Sequence, residues 1–94
     1  MPTKILIPTP LRGYTGNQEV VEATGSTVGE LLANMTAEHT GLKKHLYAED
    51  GTLRSFVNIY VNDDDIRYLE RDRTPVTPDD TVSIIPSVAG GRPR

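Results

Sequence analysis

Cysteine is absent from this 94-residue chain, and aromatic residues make up only 5% of it, with no tryptophan. Without a thiol the chain alone can form no disulfide, no thiolate nucleophile, no zinc–thiolate site and no iron–sulfur cluster. Its apolar runs are far shorter than the ~20 residues that cross a bilayer, so we expect no membrane partner. No basic-then-apolar leader opens the sequence, and a cytoplasmic location is therefore expected.

Excess positive charge is also missing, since the formal net charge is -3 and the sequence pI is about 5.2. A nucleic-acid partner is therefore not expected, because binding the phosphate backbone needs a basic face. Apolar residues make up only 36% of the chain. A chain of this length forms one domain, whose core must be small and layered.

Alternating apolar residues predict the strands of this domain. The strongest signal is the β-branched series Val57, Ile59 and Val61. The predicted strands are Thr3–Pro8, Gln18–Ala23, Phe56–Asn62, a short segment at Ile66–Tyr68, and Thr81–Pro86.

One amphipathic helix is predicted between the second and third strands. Thr27 and Glu30 fit a capping box, in which a hydroxyl and a carboxylate satisfy amides at the first helical turn. Gly41 is the expected stop. The apolar positions that follow the cap at helical spacing are Val28, Leu31, Leu32 and Met35.

This order of elements predicts a two-layer α+β domain. The first two strands form a hairpin, the helix crosses the sheet, and the last strand lies beside the first in parallel. That is the β-grasp, or ubiquitin-like, fold: a mixed sheet of four to five strands packed on one main helix. We expect residues 1–87 to form the domain and residues 88–94 a flexible tail. The predicted core residues are Ile5, Ile7, Val28, Leu31, Leu32, Met35, Val57, Ile59, Val61, Val82 and Ile84.

Catalytic constellations are not evident in the sequence. No serine has a recognisable base partner. His39 and His45 are expected to be solvated or to interact with a helix C-terminus. The run Asp63–Asp65 is expected to be a solvated acidic turn, because it lacks the ligand spacing of an EF-hand, and no metal site is expected. If this chain takes part in a reaction, it does so as a reactant, through a carboxyl group of its tail.

The tail contains the pair Gly90-Gly91, shortly after the last predicted strand. Two residues without side chains make a thin, flexible strip of backbone that can enter a narrow channel of a partner. The alternative interpretation is an ordinary loose terminus.

Three stretches give the chain a specific resemblance: Phe56–Asp63, Asp80–Pro86 and Val88-Ala89-Gly90-Gly91. On these the chain resembles the ThiS/MoaD family of ubiquitin-like sulfur carriers, over essentially its whole length up to Gly91. Within that family it is most similar to the carriers of the O-phosphoserine-dependent route to cysteine.

The resemblance implies that the C-terminal carboxyl group of the carrier is activated and then loaded with sulfur. An adenylating enzyme of the E1-like, MoeB/ThiF type would use ATP to convert the Gly91 carboxylate into an acyl-adenylate. Sulfide or a persulfide donor would then leave a thiocarboxylate. In the most similar relatives a pyridoxal-phosphate-dependent cysteine synthase supplies the sulfur acceptor, and a JAMM-type zinc peptidase frees the product. The carrier binds no cofactor itself and has no catalytic residues of its own.

One departure from the family pattern concerns the residues after Gly91. Active carriers end in Gly-Gly, whereas here Arg92-Pro93-Arg94 follows, so a precursor that needs trimming is expected. A ubiquitin-like modifier that forms isopeptide bonds and a non-covalent interaction module remain as alternatives. The sulfur acceptor also stays open between cysteine synthesis, another thiolated metabolite, thiamin and molybdopterin.

A docking surface is predicted on the outward face of the sheet. If Val82 and Ile84 point inward, Ile85 points outward beside the tail. Phe56 and Tyr60 are expected on the same outward face of the third strand. These three residues are the candidate contacts with the adenylating enzyme, because exposed apolar clusters mark interaction sites.

Overall fold

The chain, in the part that the structure describes, folds into five short strands, two α-helices and several 3-10 turns. The computed structural model describes residues 2–54 and 57–86. Within these ranges the strands are β1 (Thr3–Leu6), β2 (Val20–Ala23), β3 (Val57–Val61), β4 (Asp64–Asp65) and β5 (Thr81–Pro86). The α-helices are α1 (Val28–Glu38) and α2 (Lys43–Leu46), and short 3-10 segments cover Thr9–Tyr14, Thr40–Leu42, Ile66–Tyr68 and Arg71–Arg73.

The strands form one mixed sheet in the order β2-β1-β5-β3-β4. β1 and β2 pair as the expected antiparallel hairpin, and β1 and β5 pair in parallel. β3 is antiparallel to both β5 and β4. The predicted β-grasp topology is confirmed. Its central strand is β5, which is the strand that precedes the glycine pair.

The core lies between the sheet and α1, as the alternation of apolar residues predicts. Every residue that the sequence assigns to the core is buried, and Ile5, Val28 and Val82 have no exposed surface. Leu42 and Leu46 add a second fully buried pair from the segment around α2. The two faces of each strand therefore differ sharply, and the face turned away from α1 is left open.

The start of α1 confirms the capping box, with one change of partner. The Thr27 hydroxyl accepts a hydrogen bond from the Glu30 amide at 3.2 Å. The Glu30 carboxylate reaches back to Ser26 rather than to Thr27, accepting bonds from its amide and its hydroxyl, each at 2.9 Å. These bonds, the amide first, lower the pKa of Glu30. They satisfy amides that a helix start leaves without partners.

The end of α1 differs from the prediction. The helix ends at Glu38, with His39 as its cap, and Gly41 lies in the 3-10 turn that follows. A Cβ at position 41 would come within 2.8 Å of the Tyr14 ring. The glycine is therefore needed for the close approach of Tyr14 and does not stop the helix.

The predicted short strand at Ile66–Tyr68 is wrong: this segment is a 3-10 turn, and the strand is Asp64–Asp65. The Asp65 carboxylate accepts a hydrogen bond from the Arg67 amide at 2.9 Å. Such a side-chain bond to the backbone two residues on turns the chain out of the ladder. No helix in the described part of the chain has the length and apolarity needed to cross a bilayer.

Candidate functional site

The open face of the sheet places an exposed isoleucine at the root of the tail. Ile85 is 48% exposed, whereas its neighbour Ile84 is 2% exposed. Ile85 pairs with Asn58 of β3, on the outward side. Because the pairing of β5 with β3 extends past Ile85 to Pro86, the side chain occupies a defined position close to where the tail begins.

A row of residues crosses the sheet next to Ile85. Tyr60 pairs with Ser83, Ser83 pairs with Leu6, and Leu6 pairs with Val20. Paired residues lie on the same face of a sheet, so all four face outward. Leu6 and Val20 are each 40% exposed, and Tyr60 is half-buried.

We call Leu6, Val20, Tyr60 and Ile85 the open-face patch. Sequence reasoning identified Tyr60 and Ile85 but missed Leu6 and Val20. The signal was present, since Leu6 alternates with buried Ile5 and Ile7, and Val20 precedes buried Val21. What the sequence alone could not show is that β1 and β2 bring them into line with β5.

The other predicted site residues lie outside the described part of the structure. These are Phe56, the thiocarboxylate position Gly91, and the tail residues Val88, Ala89 and Gly90. The structure therefore defines the platform that precedes the tail, and the assignments of these residues remain predictions.

His45 meets one of the two expectations for the histidines, since it lies in the last turn of α2, but it is not solvated. This residue is half-buried, and its ring lies 4.6 Å from that of Tyr14, centroid to centroid. Its Nε2 atom is buried and has no hydrogen-bond partner within the described residues. His45 is thus a residue of α2 whose ring packs against Tyr14.

The acidic turn is only partly solvated, which corrects the prediction at its third residue. Asp63 and Asp64 are exposed, but Asp65 is 8% exposed. Arg67 contacts the Asp65 carboxylate at 2.7 Å. Hydrogen bonds from the Arg67 side chain, and then from its amide, hold the pKa of Asp65 below its ordinary value. No group of three His, Asp or Glu side chains in the described ranges could hold a metal ion.

The stability lost on removing the arginine of this pair should depend on pH in a defined direction. The pKa of Asp65 is lowered by Arg67, so the pair stabilises the fold fully above about pH 4 and loses this contribution as pH falls through the lowered pKa. Arg67→Ala should therefore lower the urea midpoint at pH 7, and the gap to the parent should narrow in acid. Arg73→Ala, which changes another exposed arginine, is the control. A gap independent of pH would contradict the ionic origin.

The sheet order, the single main helix packed on it and the strand that leads into a Gly-Gly tail define a β-grasp, ubiquitin-like protein. A protein-family model described as the ThiS family matches residues 5–91. This chain belongs to that family. The match ends at Gly91, which is the second glycine of the pair.

Individual relatives agree with this assignment. The sulfur carrier protein CysO of Mycobacterium tuberculosis is 41% identical over 93 residues, covering 97% of this chain and all of that protein. CysO in the crystal structure of the BexX/CysO complex of Amycolatopsis orientalis is 42% identical, with a TM-score of 0.85, covering 95% of this chain and 99% of that one. The small archaeal modifier protein 3 of Haloferax volcanii is 38% identical over 66 residues, 70% of this chain and 71% of that protein. The chain is thus a homologue of sulfur carriers and of ubiquitin-like modifiers.

Proposed function

We propose that this chain is a sulfur carrier whose Gly91, once the following residues are removed, is adenylated and converted to a thiocarboxylate. The sulfur then goes into biosynthesis, and the synthesis of cysteine from O-phosphoserine is the route we favour. The observation that carries the proposal is the full-length similarity to a sulfur carrier protein at 41% identity. The family match that runs up to Gly91 supports the position of the reactive group.

The proposed reaction has two steps. The Gly91 carboxylate attacks the α-phosphorus of ATP, pyrophosphate leaves, and an acyl-adenylate forms. Sulfide then attacks the acyl carbon, AMP leaves, and a thiocarboxylate remains. A persulfide donor would instead give an acyl disulfide, and a second thiol would cleave its S–S bond, releasing the thiocarboxylate and forming a disulfide with the donor. Both steps take place in the partner's active site, so this chain is a co-substrate and not the catalyst.

The fold supports this role through the position of the tail. The tail follows the central strand of the sheet, whose last residues, up to Pro86, are paired with β3. The residues that follow, Val88-Ala89-Gly90-Gly91, become smaller towards the reactive carboxyl group. A tail without side chains at its end can enter a narrow channel while the domain stays outside.

The partners that this proposal requires are three classes of enzyme. An E1-like adenylating enzyme of the MoeB/ThiF type uses ATP on Gly91. A pyridoxal-phosphate-dependent synthase supplies the sulfur acceptor, and a JAMM-type zinc peptidase cleaves the tail or the product. ATP belongs to the adenylating enzyme, and the proposed site of these reactions is the cytoplasm.

Docking to the adenylating enzyme is proposed to use the open-face patch, and Phe56 stays a predicted further contact. Ile85→Asp places a charge where Ile85 is 48% exposed, so the fold should be kept while an apolar contact is lost. We expect the apparent KM for this chain to rise at least about tenfold, since losing a central apolar contact costs ~1–2 kcal/mol or more. Leu69→Asp is the control, because Leu69 is 43% exposed but lies outside the strands. Equal kinetics for Ile85→Asp and the parent would rule out this face.

The adenylation step itself is tested by ATP–pyrophosphate exchange. A chain ending at Gly91 should stimulate exchange by the adenylating enzyme, and a chain ending at Gly90 should not, because its carboxyl group is one residue short of the reaction centre. Exchange that is indifferent to the presence of either chain would overturn the proposal.

A second function has a specific observation in its favour. The similarity to a small archaeal modifier protein, 38% over 66 residues, makes conjugation to other proteins the main alternative. A modifier would use the same adenylate but end as an isopeptide on a lysine. Antibody detection of higher-mass, thiol-resistant conjugates in cell extract distinguishes a modifier from a carrier, whose thiocarboxylate stays on the free chain.

A further inference from the structure

A cavity of about 510 Å³ lies on the side of the molecule opposite the open-face patch. Core residues such as Leu32 of α1 and Ile59 of β3 lie behind its floor, but they are 0% and 1% exposed and offer no surface to a ligand. Its accessible apolar surface includes the half-buried side chains Tyr47 and Leu53. Leu53 and Ile66 close it from the segments before and after β3. Its volume lies in the range of ~300–1,000 Å³ that small-molecule sites occupy, and its lining combines apolar and charged side chains.

Three arginines line this cavity, although the chain as a whole is acidic. Arg67 is neutralised by Asp65 at 2.7 Å. The Nε atom of Arg54 donates to the Lys44 carbonyl oxygen at 2.9 Å, which fixes that side chain at the opening. Arg71 makes no ion pair with a carboxylate of the described residues, so its charge is not balanced by a direct contact.

The segment that carries Arg71 is held against the cavity at a conformational cost. Arg71 has a φ of 56°, a left-handed conformation that non-glycine residues rarely adopt. Gly29, in the first turn of α1, lets this segment approach closely, because a Cβ there would lie 3.1 Å from the Asp72 carbonyl oxygen. A glycine inside a helix and a strained arginine both disfavour folding, and such costs concentrate at binding sites.

We propose that this cavity binds a small organic anion that has an apolar body and a carboxylate or phosphate group. The apolar body lies against the half-buried side chains Leu53 and Tyr47, and the anionic group lies beside Arg71. Asp72 also lines the cavity. Burial, and then the negative charge of Asp72, raise the pKa of Tyr47, which lines the same cavity. Asp72 therefore opposes anion binding and limits its strength.

This site is independent of the proposed sulfur chemistry. It lies on the side of the sheet that faces α1, whereas the open-face patch lies on the other side. Loss of the cavity ligand and loss of adenylation would therefore be separate results, obtained with separate variants.

The probes for the test are benzoate, phenyl phosphate and the neutral analogue benzyl alcohol, added to the ¹⁵N-labelled full chain. We expect benzoate or phenyl phosphate to give saturable shifts of the amides of Leu53, Ile66 and Arg71. The stronger of the two identifies the anionic group. Benzyl alcohol should bind about tenfold more weakly or not saturate, because it lacks the charge-assisted bonds.

Three variants separate charge recognition from structure. Arg71→Gln should weaken the anion by about tenfold, whereas Asp72→Asn should strengthen it, because an opposing charge is removed. Lys4→Gln, on the opposite face of the sheet, should change nothing. Retained dispersion of the amide spectrum shows that each variant is folded. The proposal is overturned if neither anion saturates, if benzyl alcohol binds equally well, or if Arg71→Gln and Asp72→Asn both leave the affinity unchanged.

Discussion

Only a chain that ends at Gly91 should gain sulfur, and the full 94-residue chain should gain none. In the full chain the Gly91 carbonyl belongs to the peptide bond with Arg92. An amide oxygen is too weak a nucleophile to attack the α-phosphorus of ATP, whereas a carboxylate is suited to it. After incubation with the adenylating enzyme, ATP and sulfide, intact-mass measurement should show one oxygen replaced by sulfur in the shortened chain alone. The expected difference is all or none.

Two controls make this result specific. A chain ending at Gly90 should stay unmodified, since the position of the carboxyl group and not merely its presence is what the enzyme requires. Adding the JAMM-type zinc peptidase to the full chain should restore sulfur incorporation, together with loss of Arg92-Pro93-Arg94. If the full chain gains sulfur while it retains these residues, the precursor interpretation is wrong.

The strands and the core could be predicted because their physical signal is local. Val57, Ile59 and Val61 alternate with residues that face outward. In a strand, such an alternation determines which side chains face the core, because a shift by one residue would turn all of them to solvent. The same holds for Ile5 with Ile7 and for Val82 with Ile84. With these faces assigned, a parallel pairing of β1 with β5 is compatible with the helix α1 that carries the chain from β2 to β3.

The errors lie where a specific side-chain contact decides the local conformation. Gly41 was interpreted as a helix stop, but it is required by the ring of Tyr14, which lies 27 residues earlier in the chain. Asp65 belongs to a strand and then turns the chain because Arg67 bonds to its carboxylate. Neither contact leaves a periodic signal in the sequence, so propensity alone could not identify it.

The candidate site divides in the same way. The outward position of Ile85 follows from alternation, and the structure agrees. Gly91 as the reactive position came from the family resemblance, and no physical pattern in the residues identifies it. The patch residues Leu6 and Val20 and the arginine-lined cavity both depend on which strands and segments become neighbours, so only the folded structure shows them.

Replacing Ile59 with alanine should destabilise the domain by about 2–5 kcal/mol. Ile59 is 1% exposed and lies at the centre of β3, where it pairs with Ile84 of β5. The substitution removes buried apolar surface and leaves a cavity between two layers that are too constrained to collapse into it. Urea unfolding followed by circular dichroism measures the change in the free energy of unfolding. An unaltered m-value would show that the substitution does not change the compactness of the unfolded state.

Ile85→Ala is the matched control, because it makes the same chemical change at an isoleucine that is 48% exposed. Substitutions at such surface positions change stability by only about 0.5 kcal/mol in either direction. Since a β-grasp domain of this size has a total stability of only ~5–10 kcal/mol, the Ile59 variant should lose a large fraction of it. A similar loss in both variants would mean that the two faces of the sheet are not distinguished as described. A loss at Ile59 alone would establish that the face turned away from α1 is free to bind partners at little expense to the fold.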